Sequence, residues 1–164
     1  MADYQARIVV RNILIPWFPQ KAGYSVVPWC TYTSPEVARV GMCEESARTS
    51  GAPFDVWMEP FEAVDRAVVE SEEVGFARVL TAKASDRILG ATIVSEHAGE
   101  LLHEFVLAMA TGAGLDAIGR AIHAYPTFAE VARKLADRRR RSRLTPTARK
   151  VFSWLYRRRR GGGA

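Results

Sequence analysis

Between Ile122 and Glu130 the chain reads IHAYPTFAE, which gathers His123, Tyr125 and Glu130 around a proline. Imidazole, phenol and carboxylate are groups that move protons, so the cluster suits general acid–base work. The stretch also has a plainer use. Thr127 and Glu130 fit the pattern S/T-x-x-E, in which the hydroxyl caps the amide three residues on and the carboxylate returns to the cap's own amide. Pro126 and Val131 occupy the staple positions beside it. Capping accounts for Thr127 and Glu130, and it leaves His123 and Tyr125 unexplained.

Other constellations are weaker. GAGLDA, from Gly112 to Ala117, matches G-x-G-x-x-A in letters, but a helical pattern precedes it where a dinucleotide site needs a strand, so it reads as a helix-to-helix turn. His97, Glu100, His103 and Glu104 are metal-binding types, yet His97 and His103 are six residues apart and point to different sides of a helix. No metal is expected there. Cys30 and Cys43 are the only cysteines and form no C-x-x-C pair, so both read as ordinary, partly buried thiols.

The elements that must position these residues follow from periodicity. The 164 residues, 48% of them hydrophobic, suit one globular domain with an appendage. DYQARIVVRNILI has helical spacing through Ala6, Val9, Val10, Ile13 and Leu14, and the aromatic, proline-rich linker after it marks a tethered helix. SVVPWCTYT reads as a strand. SPEVARVG carries Ser34, Pro35 and Gly41 where a short helix would want its cap, first residue and terminator, and a helix is predicted there. CEESAR is a further helical turn or two and PFDVWMEP a short strand. GFARVLTAK and RILGATIVS make an antiparallel hairpin. AGELLHEFVLAMATGAG places Leu101, Leu102, Phe105, Ala108 and Met109 on one helical face, and LDAIGRAI, the HAYP turn and a helix from about Phe128 complete the body. Strands in a run followed by helices in a run predict an α+β fold, an antiparallel sheet flanked by helices, with a basic C-terminal helix.

The formal charge of +5 conceals a division. Residues 1–130 hold 10 Lys and Arg against 17 Asp and Glu, whereas residues 131–164 hold 13 basic residues against Asp137 alone. In the tail, Thr145 and Pro146 open a helix with an apolar stripe of Ala148, Val151, Phe152 and Leu155, flanked by Trp154 and Tyr156 and closed by four arginines from Arg157. Such a helix suits an anionic membrane, with contact through Trp154 and Arg157, or a partner subunit. Nucleic acid is a weaker fit, because the acidic body repels a phosphate backbone. No apolar run approaches the roughly 20 residues of a membrane span, and the start, MADYQARIVV, lacks the features of a secretory signal. The expected location is cytoplasmic, with peripheral contact at the inner face of the membrane.

VPWCTYTSPEVARVG, SDRILGATIVSEHAGELLHEFVLAM and IHAYPTFAE, in this order and spacing, resemble the C-terminal dimerisation domain of the pyridine nucleotide-disulfide oxidoreductases. These flavoenzymes include mercuric reductase, dihydrolipoamide dehydrogenase and glutathione reductase. The resemblance covers about Val26 to Ala136, and ADYQARIVVRNIL is similar to the last helix of the preceding flavin-binding domain. It implies three parts: residues 1–22 as the remnant of that helix plus a linker, 23–136 as the dimerisation domain, and 137–164 as the basic tail. It also implies a homodimer, with FAD and NAD(P) as the cofactors of the full-length family.

In that family the residue before the proline is commonly histidine, which with the glutamate five places on forms an acid–base dyad reaching the partner subunit's redox-active disulfide. Tyr125 holds the histidine's place here and Glu130 the glutamate's. A phenol near its usual pKa of about 10 does not shuttle protons at neutral pH as imidazole does. Tyrosine at this place resembles the mercuric-reductase-like branch, where it hydrogen-bonds near the substrate thiol or metal, although the cysteine pair ending true mercuric reductases is absent. His123 takes no part in the implied dyad. The flavin fingerprint, the active-site cysteine pair and the second nucleotide-binding domain of a full member are also absent. The expectation is therefore a truncated product or half of a split enzyme: no cofactor on this chain alone, inactive in isolation, working with a separate flavin-binding chain. The competing expectation is a stand-alone module held to membrane or polyanion by its arginine-rich helix.

Overall fold

The computed structural model describes residues 1–144 together with Ser153 and Tyr156. The helix expected from Thr145, with Trp154 and Arg157, lies outside the described residues. Among those described, no helix is long and apolar enough to cross a membrane.

A five-stranded antiparallel sheet organises the body, in the order β1-β2-β5-β4-β3. The strands are β1 (Pro28–Thr31), β2 (Glu36–Gly41), β3 (Phe54–Pro60), β4 (Phe76–Ala82) and β5 (Ile88–Ser95). β4 and β5 are the hairpin the sequence announces, with Phe76 opposite Val94 and Val79 opposite Ala91. Alternation assigns one face to the core: Ala38 and Val40 of β2, Ala77 and Val79 of β4, and Ala91 and Ile93 of β5 are fully buried and stand opposite one another.

Helices cover that face. Helix α4 (Ala98–Thr111) buries Ala98, Leu102, Phe105 and Ala108, a stripe at helical period, and ends at Gly112, whose φ of 75° is the left-handed stop. α5 (Leu115–Ile118) follows, and α6 (Glu130–Ser142) lays Val131, Ala132, Leu135 and Ala136 on the sheet beside it. The shorter α2 (Glu44–Thr49) and α3 (Asp65–Glu70) join the strands, and α1 (Ala2–Leu14) precedes the sheet. Of α1 only Ile8 is buried. Its ties run to its own linker: the Gly23 amide donates to Tyr4 Oη (3.0 Å) and the Gln20 amide to Asn12 Oδ1 (2.7 Å).

Two sequence expectations are corrected. SPEVARVG is not a helix but strand β2, paired on both sides, with Val37 opposite Thr31 and Val94. Its alternation of buried Ala38 and Val40 with half-buried Val37 and Arg39 outweighs the helix punctuation around it. Thr127 does not cap the last helix. α6 starts at Glu130 behind Ala129, the Thr127 carbonyl accepts the Glu130 amide (3.3 Å), and the Thr127 hydroxyl donates to the Ala124 carbonyl (2.7 Å).

Helix α6 also runs unbroken past residue 137. Arg139 is buried in the body, donating to Asp116 Oδ1 of α5 (2.8 Å) and to the Ser85 carbonyl in the β4–β5 turn (3.2 Å). The first arginines of the basic run are thus structural clamps.

Candidate functional site

Tyr125 sits in the loop between α5 and α6, beside Ile122 on an exposed rim. Its side chain is 70% exposed, and its phenol donates to Asp65 Oδ2 of α3 at 2.7 Å. That bond, and then the carboxylate's charge, holds the phenol above its ordinary pKa, because ionisation would lose the bond and set two anions together. Tyr125 therefore stays a neutral hydrogen-bonding group across the physiological range.

Glu130, at the first turn of α6, is almost wholly buried. Its Oε1 is paired with the Arg133 guanidinium and lies 3.8 Å from Lys134 Nζ. Its Oε2 is shut away from solvent and accepts no hydrogen bond. A carboxylate oxygen in that condition is a costly arrangement that a further donor would relieve.

The structure does not join the two sequence-identified residues by a hydrogen bond. Tyr125 turns to Asp65, and Glu130 reaches it only through the field of its charge, which adds to the upward push on the phenol. Asp65 carries no signal in the sequence, since only the fold brings α3 beneath the motif. His123 faces away from both. Its Nε2 meets Glu104 Oε1 of α4 (3.1 Å) and its Nδ1 the Ala121 carbonyl (3.1 Å), with the ring buried, so it fastens the loop to the body. His97 meets Glu72 and Phe128, and His103 Nδ1 contacts the Gly99 carbonyl of its own helix.

The two thiols differ more than their sequence context suggests. Cys43 precedes α2, where the Ser46 amide donates to its Sγ (3.4 Å), and contacts with Ser46, aided by the charge of Arg39, lower its pKa to about 7. Cys30 is shifted upwards by burial and by Glu36. Iodoacetamide at neutral pH should therefore alkylate Cys43 well before Cys30, with the rate rising through a midpoint near pH 7 for Cys43 alone. Peptide mass spectrometry across a pH series checks this, and equal rates for the two thiols would refute it.

GAGLDA proves to be a turn. The Asp86 carboxylate lies over Gly114, about where a Cβ would stand, and the Asp86 carbonyl accepts the Leu115 amide (2.8 Å). A fixed anion at this point is unsuited to a pyrophosphate, so these residues do not fit the dinucleotide part of FAD or NAD(P).

Comparison with known proteins places the geometry in context. The family model for the pyridine nucleotide-disulphide oxidoreductase dimerisation domain matches residues 27–136. A dihydrolipoyl dehydrogenase of Trypanosoma brucei brucei is 45% identical over 116 residues, covering 71% of this chain and 24% of that protein. One from Chlamydia muridarum is 39% identical over 131 residues, covering 80% of this chain and 28% of the other. Among solved structures, the HOCl-induced flavoprotein disulfide reductase RclA from Escherichia coli superposes with a TM-score of 0.73 at 28% identity, over 80% of this chain and 30% of that one. The chain thus spans about a quarter of the length of the curated relatives it matches.

Proposed function

Because the chain belongs to the pyridine nucleotide-disulphide oxidoreductase family and carries its dimerisation domain, we propose that it forms the homodimer interface of an FAD-dependent NAD(P)H disulfide oxidoreductase and presents Tyr125 and Glu130 to the partner subunit's redox centre. The match over residues 27–136, the whole of the sheet and most of its helical cover, carries this reading. In this reading the flavin and nicotinamide chemistry is supplied by the nucleotide-binding domains, in a longer chain or in a separate flavin-binding one, since Gly112–Ala117 does not fit a dinucleotide. The setting is cytoplasmic.

Tyr125 acts by hydrogen bonding, in the manner expected of a mercuric-reductase-like site, and not as a proton shuttle. Its exposed position and its neutral phenol support that role. Glu130 bears on that role from within the chain, its charge adding to the upward push on the phenol. Exposed Ile122, Tyr125 and Leu107 are the kind of surface that a second copy covers.

Sedimentation equilibrium tests the reading. The purified chain is expected at twice its 18.2 kDa mass at high micromolar concentration, and Tyr125→Phe is expected to leave that mass unchanged. A wild-type chain that remains monomeric there would overturn it.

A further inference from the structure

We propose that Glu70, Glu72 and His97 form a binding site for a divalent first-row transition ion. The three residues come from two places in the chain. Glu70 is the last residue of α3, Ser71 turns the backbone through a left-handed conformation (φ 60°), and Glu72 follows. His97 stands immediately before α4, its ring held edge-on against Phe128 at 4.8 Å between centroids. The fold brings one ligand atom of each within 4.8 Å of the others.

Two observations favour a cation over a simple cluster of side chains. Glu72 Oε2 is sealed from solvent and accepts no hydrogen bond, and His97 is the group placed to pair with it. His97 Nε2 lies 3.3 Å from that same atom. An ion about 2.1 Å from each of two tetrahedral ligands holds them about 3.4 Å apart, so this pair already has the spacing of two ligands on one ion. A nitrogen with two carboxylates is a donor set suited to borderline ions such as Zn2+. The negative end of the α3 dipole adds to the attraction at Glu70 only weakly, and the ion's main hold is on Glu72 and His97.

Arg66 is the competitor. Its guanidinium pairs with Glu70 one turn along α3, so an ion gains its third ligand by displacing that pair. This gives the proposal a signature that a structural ion pair lacks: Arg66→Ala should strengthen metal binding, while changes to the ligands weaken it.

The experiment is titration of the untagged, chelator-treated full chain with Zn2+ by calorimetry. One ion per chain is expected, weakened about tenfold or more by Glu72→Gln or His97→Ala and tightened by Arg66→Ala. Circular dichroism in chelator checks that each variant is folded, and Glu72→Gln serves if loss of the ring against Phe128 disturbs His97→Ala. Absence of binding, or binding unchanged in Glu72→Gln, overturns the site. Loss of binding in Cys43→Ser would assign the ion to the thiol and overturn it equally. Because the readout is ion binding by this chain, a failed dimer leaves the result interpretable.

Discussion

Gly75→Ala is expected to destabilise the chain by about 3–4 kcal/mol, the sum of backbone strain and a main-chain collision. Gly75 has φ +118°, a region that L-residues rarely enter, and a Cβ placed there meets the Val94 carbonyl oxygen at 2.0 Å. The obstacle is backbone of the central strand β5, so relief requires β4 and β5 to part where Phe76 pairs with Val94. The Gly75 carbonyl also accepts the Phe61 amide, which leads into the turn before α3. Gly112→Ala isolates the strain. Gly112 also has positive φ, but nothing lies within 4 Å of the point its new methyl group would occupy, and its cost should be only about 1 kcal/mol. Urea denaturation at one fixed protein concentration measures both, and equal losses at the two positions would refute the collision.

The second large effect concerns charge. Asp116→Ala should cost about 3 kcal/mol, because it leaves the Arg139 guanidinium, 4% exposed, with a neutral carbonyl as its remaining partner. Asp116 is itself one-fifth exposed, which keeps the figure at the low end of the range for breaking a buried pair. Arg140 and Arg143 also lie near this carboxylate, at 3.9 and 3.7 Å, so its removal sets three cations together. Asp116→Asn keeps an acceptor and should lose less. Urea denaturation reads both variants, and a drop below about 1 kcal/mol for alanine would mean that water reaches Arg139 once Asp116 is gone.

Hairpin β4–β5, helix α4 and the tethered helix α1 are legible in the sequence because their apolar residues repeat at the period of the element they build. Strand β2 is not. Gly41 has the look of a helix terminator, whereas it is glycine because the Leu89 carbonyl oxygen passes 2.4 Å from where a Cβ would stand. That closeness is a property of the β2–β5 pairing, and no local pattern reveals it. Helix α3 gives no signal for a related reason: six residues are too few to display a period. Tyr125 and Glu130 are the candidates that the motif offers, while the groups they meet, Asp65 and Arg133, emerge with the fold. The same holds for Glu72 and His97, 25 positions apart in the chain. The fold class and the family are therefore readable in advance, and the pairing of charges is not.

The outer strands of the sheet bear on how such a chain associates without polymerising. β1 has only four residues and opens on Pro28, while β3 is preceded by Pro53 and closes on Pro60. Proline offers no amide hydrogen, so both free margins are poor templates for a further strand. This suits the proposed homodimer: growth by strand addition is discouraged at both ends, and association is left to a face that is satisfied after one partner has arrived.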